Sequence, residues 1–313
     1  MPSLAAITSS PMLREYAQGA AQDSIQPVAE FLAPTVPVAT SVGRYKVYDE
    51  KNRFHIPNTL RGMGGRAVEL TFNLKDATYN CAPHALDFPV DNLEQLEGSA
   101  MENILQEGAT LIAEVAGLAH EALVLSTATG ALTALGGVGQ WSVATNDPVN
   151  DIDNSILNVI KAAKYGSLMG VGVLFGASAF KTFKNHALVR SRFVTAGNKA
   201  IPNITPDAAS ALFLGSPDTR VSYMVQDTAP EGAAANVSFL LDNSVMVFAR
   251  KENPTRRDPS FMKTFRLINN FMVPSSYVRD DNRVQVAKFD WSEDVKNTNS
   301  VAANLINLSY KVF

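Results

Sequence analysis

The 313-residue chain holds a single cysteine, Cys81. One thiol excludes an intramolecular disulfide, and a reducing compartment fits. A lone cysteine reads as a small buried apolar residue. Charge is also scarce, at 18% of residues against 46% hydrophobic, which marks a globular chain and excludes a disordered one. The formal net charge of −3 gives no general attraction to nucleic acid. Long hydrophobic runs are missing: the most apolar stretch, Tyr165 to Phe180, is bracketed by Lys164 and Lys181 and falls short of the roughly 20 residues of a membrane helix. The first residues lack the basic start and apolar core of a signal peptide. No membrane association is expected.

Signatures of chemistry are missing as well. His55, His84, His120 and His186 share no metal-ligand spacing, and no HExxH, CxxC or calcium loop occurs. His120 reads as a partly buried structural histidine. Cys81 and His84 are separated by Pro83 and have no helical scaffold, so a thiol–imidazole pair is not expected. Gly170 and Gly172 fall inside a strand-like run, whereas a dinucleotide loop needs its glycines after the strand. The P-loop and the GxSxG elbow are both absent. No enzymatic activity and no cofactor or metal are expected.

What charge there is, is segregated. Arg44 to Lys75 carries seven basic residues against three acidic ones, and Asp76 to Ile160 carries twelve acidic residues with no Lys or Arg. Such blocks are usually solvated faces. A basic block directly before an acidic one suggests that the two meet, within one chain or between copies. The basic block has the pattern of a hairpin: a strand at Tyr45 to Tyr48, then Val68, Leu70, Phe72 and Leu74 alternating with Glu69, Thr71 and Asn73. Lys51, Arg53, Arg61 and Arg66 lie in the long loop between them. A two-stranded ribbon alone in water is marginal, so this hairpin needs support from elsewhere.

Ahead of the hairpin, residues 1 to about 35 read as an arm with a short helix from Ser10 to Ala21, followed by the extended "APTVPV". Beyond it, Pro83 and Pro89 forbid a helix before Val90. Asp91 can then cap a helix from Leu93 to about Ser126, with apolar residues at intervals of three and four. Gly98, Gly108 and Gly117 within it suggest close approach of another element. A second helix starts at Asp147–Pro148, "LMGVGVLFG" reads as a buried strand, and "ASAFKTFKNHALV" as a further helix. Strands are expected at Val221–Val225, Val237–Leu241, Val245–Ala249, Phe265–Met272 and Val284–Phe289. The class is α+β, with a central mixed sheet.

The order of parts, with "VAEFLAPTVPVATSVGRYKVYDEKNRF", "TYNCAPHALDFPV", "GQWSVATNDPVNDI" and "EGAAANVSFLLDNSVMVFAR", resembles the major capsid protein of tailed bacteriophages, which has the Hong Kong 97 capsid fold. The resemblance runs from about Gln26 onward. It implies an N-terminal arm at 1–39, an extended β-hairpin loop at 40–81, a peripheral domain with a long spine helix at 82–129, an axial domain at 130–262, and late strands returning to the peripheral domain at 263–313. It also implies self-assembly into pentamers and hexamers of an icosahedral shell around a double-stranded DNA genome, bound without sequence specificity. Portal, scaffolding and possible decoration proteins would be the other partners, with assembly in the host cytoplasm and residence in the virion. With numbering from Met1, a long N-terminal scaffolding domain is not expected, and no residue set for covalent crosslinking is carried over. Arg44, Lys46, Lys51, Arg53, Arg61 and Arg66 are expected to meet Glu94, Glu97, Glu102 and Glu107 of a neighbouring subunit. The alternatives are the shell of an encapsulin-like protein compartment and a soluble nucleotide-binding α/β enzyme.

Overall fold

The computed structural model describes residues 27–48, 58–67, 69, 74–91, 101–136, 138–163, 170–193, 203–230, 234–268, 273–280 and 282–308. The helix expected at Ser10–Ala21 lies outside the described residues, as does the segment between Asp91 and Met101. In chain order the elements are α1 (Pro27–Leu32), β1 (Thr35–Val38), β2 (Val42–Tyr48), β3 (Leu74–Asn80), β4 (Ala82–Asp91), α2 (Met101–Ala131) and α3 (Pro148–Ala163). There follow β5 (Val171–Gly176), α4 (Ala177–Asn185), α5 (Ala187–Phe193), α6 (Pro206–Ser210), β6 (Asp218–Ser222), β7 (Val225–Asp227), β8 (Val237–Phe239) and β9 (Ser244–Ala249). The chain ends with β10 (Met262–Leu267), β11 (Val273–Val278), β12 (Val284–Asn297) and β13 (Ala303–Asn307).

Two sheets organise the molecule. One has the order β1-β10-β12-β11, with β4 also paired to β12. The other is mixed, with the order β13-β9-β5-β6, in which β5 is parallel to β6 and antiparallel to β9. Two separate ribbons, β2-β3 and β7-β8, project from this body. Of the late strands, β10, β11 and β12 join the first sheet, whereas β13 pairs with β9 in the second.

Strand β4 differs from the sequence reading, which saw only a segment where a helix is forbidden. His84, Leu86, Phe88 and Val90 turn inward on alternate positions, and the register with β12 runs from Ala82↔Glu293 to Asp91↔Val284. Pro83 and Pro89 are six residues apart, so their missing N–H groups fall on the same side of the strand, as an edge position permits. Asp91 is the last residue of the strand, paired with Val284, and the helix start expected just after it lies outside the described residues. The inner face of β4 covers α2: Phe88, Val90, Ile112, Ala113 and Ala116 form one cluster with Phe289 and Trp291 of β12.

Helix α2 has 31 described residues, or about 46 Å at 1.5 Å per residue. The segment Glu107–Ala131 is long and apolar enough to cross a membrane by composition, but one face of α2 is packed against β4 and β12. Gly108 explains part of that packing, because a Cβ there would lie 2.3 Å from Phe88 Cδ1. Gly108→Ala should therefore destabilise the chain by about 1 to 3 kcal/mol through overpacking, outweighing the roughly 1 kcal/mol gain that alanine brings to an open helix position. Urea denaturation checks the sign; a net gain would mean Phe88 moves freely.

Helix α3 starts as its sequence indicates. Pro148 is its first residue, and the Asp147 carboxylate accepts the Val149 N–H at 3.2 Å. The run read as one helix after β5 breaks at His186, which lies in extended backbone between α4 and α5. The His186 Nδ1 accepts the Leu188 N–H at 3.3 Å, so the imidazole caps the second helix. The largest core cluster surrounds β5 and β9, where the rings of Phe175, Phe180, Phe183 and Phe213 pack together.

Candidate assembly surfaces

The ribbon β2-β3 has a root and a tip with different physics. At the root, Tyr45 and Tyr79 lie against Phe265 of β10, with ring centroids 5.3 and 4.7 Å apart, in a cluster with Val36, Val38 and Cys81. Gly43 stands directly opposite Tyr79 in the ladder, and a Cβ there would lie 2.3 Å from the Tyr79 hydroxyl. The glycine leaves the groove in which the fully buried Tyr79 lies. The Asn80 N–H donates to Asp294 at 2.7 Å, the Lys46 N–H to the Arg256 carbonyl at 3.2 Å, and Cys81 Sγ–H to the Phe265 carbonyl at 3.5 Å. The hairpin thus has a small core at its base, supplied by its own chain, which the sequence reading had not given it. His84 stacks on Trp291 at 5.2 Å, away from any thiol chemistry.

The tip is the opposite case. Residues 58–67 are exposed, and Leu60 and Met63 are 88% and 107% accessible. These two apolar side chains, overlooked beside the basic residues around them, are flanked by the exposed Arg61 and Arg66. Of the other basic candidates, Arg44 is exposed on β2, and Lys51 and Arg53 lie outside the described residues. Lys46 forms an ion pair with Asp76, its opposite residue within the same ribbon.

Helix α2 offers a surface of complementary character. No Lys or Arg occurs in it; Glu107 and Glu114 are exposed, and so are the apolar Leu111, Val115 and Leu123. Glu94 and Glu97 lie outside the described residues, and the Glu102 side chain is likewise not described. No ion pair joins the ribbon to α2 among the described residues.

The buried side of α2 carries charge of its own. His120 Nδ1 lies 3.0 Å from Glu293 Oε2 of β12, and Arg266 of β10 donates to the same oxygen at 2.6 Å. All three side chains are buried. Burial alone would raise the Glu293 pKa, but the hydrogen bond and charge of His120 and the charge of Arg266 hold it down at about 2. This network fastens the helix to the sheet beneath it, and it bears out His120 as a structural residue.

The glycines of β5 have steric roles. A Cβ on Gly172 would meet Phe31 at 2.8 Å and Phe248 at 3.0 Å, and one on Gly176 would meet the Asp242 carbonyl at 2.2 Å. These two glycines therefore make room for bulky neighbours, as the packing of a buried strand requires. No cluster of metal-ligating side chains occurs among the described residues.

No family profile matches the sequence. A phage-related protein from Bordetella bronchiseptica RB50 superposes with a TM-score of 0.71 over 97% of this chain and 98% of that one, at 18% identity. The mature capsid of bacteriophage PhiM1 superposes with a TM-score of 0.54 over 89% and 86% of the two chains, at 12% identity. The chain has the Hong Kong 97 capsid fold. In sequence, 148 residues are 29% identical to the major capsid protein of Pseudomonas phage JBD67, which is 45% of this chain. The match spans about half, 48%, of that relative's length. In a capsid fold, the projecting β2-β3 ribbon and the long α2 are the extended loop and the spine helix that the sequence resemblance implied.

Proposed function

We propose that this chain is the major capsid protein of a tailed bacteriophage and that it assembles, without catalytic turnover, into the icosahedral shell around the viral DNA. The observation that carries this reading is the exposed tip of the hairpin. Leu60 and Met63 extend into solvent on a ribbon whose own core ends at Val47 and Ala77, an arrangement that makes sense if a neighbouring copy covers the tip. The likeness in fold to a phage-related protein over nearly the whole chain and to the PhiM1 capsid over most of it, with the partial identity to a major capsid protein, supports it.

In this reading residues 1–39 form an arm whose last part, α1 and β1, is built into the body of the subunit, 40–81 the extended loop, 82–129 the peripheral domain, 130–262 the axial domain and 263–313 the returning strands. The subunits gather as pentamers and hexamers, with portal, scaffolding and decoration proteins as further partners. The loop of one copy crosses the spine helix of the next, where Glu107 and Glu114 set the register of Arg61 and Arg66, and Leu111 and Val115 receive Leu60 and Met63. Exposed ion pairs contribute only about 0 to 1 kcal/mol each, so apolar contact supplies most of the adhesion. A spine helix free of Lys and Arg would also avoid adhering to packaged DNA, whose affinity for proteins comes mainly from basic contacts.

Electron microscopy of the purified chain, alone and with its phage's assembly partners, should show closed shells of uniform diameter. A chain that stays monomeric at every concentration and with every partner would overturn the reading. Particles filled with protein cargo and lacking DNA would identify a protein compartment.

A further inference from the structure

Helix α1 packs on α2 and on β5 and β6 of the second sheet. Val28, Ala29, Phe31 and Leu32 are all buried in it, and the guanidinium groups of Arg220 and Arg250 lie over the Phe31 ring, 4.7 and 4.6 Å from its centre. The strand that follows, β1, enters the first sheet beside β10, while Phe31 reaches Phe248 and Gly172 of the second. The N-terminal end of α1 is capped from another helix: Glu121 Oε1 of α2 accepts the Ala29 N–H at 2.9 Å. That N–H is one of the first donors of a helix, which have no partner inside it.

The Glu121 carboxyl is fully buried, and its second oxygen, Oε2, has no hydrogen-bond partner among the described residues. The charged side chains on the surrounding elements are engaged with other groups. His120 on α2 and Arg266 on β10 are held by Glu293 of β12. Glu30 on α1 accepts from the Thr35 N–H and hydroxyl, and Arg220 and Arg250 pair with Asp218. An ionised Glu121 would therefore be a buried anion without a partner cation among the described residues, an arrangement that folded proteins avoid by protonation or by opening.

We propose that Glu121 is a proton-controlled latch: its neutral carboxyl holds α1 against α2 and the second sheet, and ionisation loosens α1. Burial supports the assignment, raising the carboxyl pKa from 4.5 to about 7 against the opposing pull of the Ala29 hydrogen bond. With the folded pKa above the unfolded one, the seated state is favoured fully below pH 4.5 and loses stability as pH rises from 4.5 to about 7. Above that range the penalty is constant. The latch is a property of the subunit and does not depend on shell assembly.

Hydrogen exchange on the full unassembled chain tests it, reading a peptide over residues 27–33 with a peptide over β9 as the internal standard. Linkage between pKa values of 4.5 and about 7 gives about a tenfold rise in the opening of the α1 peptide from pH 6 to pH 8, after correction for intrinsic exchange. Glu121→Gln, which cannot ionise, should remove that rise, and β9 should stay unchanged in both proteins. A flat α1 profile in the wild-type chain, or a rise shared equally by β9, would overturn the latch. Should Glu121→Gln fail to fold, carbon-13 titration of Glu121 in the wild-type chain decides the matter, with a midpoint near 7 expected and one below about 5 counting against it.

Discussion

Replacing Glu293 by alanine should lower the unfolding free energy by about 3 to 5 kcal/mol at neutral pH, the usual cost of breaking a buried ion pair from one side. Glu293 is buried where β12 passes under α2, and it is the anion shared by His120 and Arg266. Its removal leaves the Arg266 guanidinium without that anion in a dry site, 3.4 Å from His120 Nδ1. Glu293→Gln keeps the shape and some hydrogen bonding, so its loss should be smaller. The same carboxylate makes the fold acid-sensitive. Its folded pKa of about 2 lies below its unfolded value of 4.5, so its contribution is complete above pH 4.5 and disappears as pH falls from there towards 2. Denaturant midpoints measured between pH 7 and pH 2.5 should converge for the wild-type and Glu293→Ala chains at the acid end. A loss under 1 kcal/mol at pH 7 would mean that water already solvates the site.

Reversing two charges at the hairpin tip, Arg61→Glu with Arg66→Glu, should block shell formation while the unassembled chain keeps its stability. Both residues are exposed, as are the flanking Leu60 and Met63. Surface changes of this kind move stability by no more than about 0.5 kcal/mol. Repulsion from Glu107 and Glu114 of the neighbouring spine helix would instead be repeated at every contact in the shell. Light scattering of assembling subunits reads the effect, and Glu107→Lys with Glu114→Lys should recover part of the assembly if the pairing is direct. Leu60→Ser with Met63→Ser should weaken assembly without changing its salt dependence. A charge-reversed chain that unfolds early yet assembles at the normal rate would mean that the tip packs on its own subunit.

Local sequence determined the elements whose signals are local. Asp147 and Pro148 start α3 because a cap needs only adjacent residues, and the apolar runs of β9 and β5 are legible in the same way. The long period of α2 and the first strand of the basic hairpin were legible too, and with them the α+β class and the resemblance to the capsid fold. The second strand pairs at Leu74–Asn80, whereas the alternation read from Val68 to Leu74 falls almost wholly outside the described residues. The candidate surface was legible in its charge: the opposed blocks of Arg44–Lys75 and Asp76–Ile160 are visible without coordinates.

Tertiary structure decided what depends on distant partners. Strand β4 was hidden by its two prolines, and only the β12 edge makes them tolerable. The 14-residue β12 was read as ending at Phe289, because its second half, with Glu293 and Asp294, looks solvated until Arg266 and His120 arrive from 27 and 173 residues away. The core at the hairpin root depends on Phe265, which is 186 positions from Tyr79 in sequence order and 4.7 Å from it in space. Glu121 reads as one more acidic residue of a basic-free helix until α1 places the Ala29 N–H against it. In each case the sequence states a side chain's charge or bulk, while burial and pairing, which set its energy, are properties of the fold.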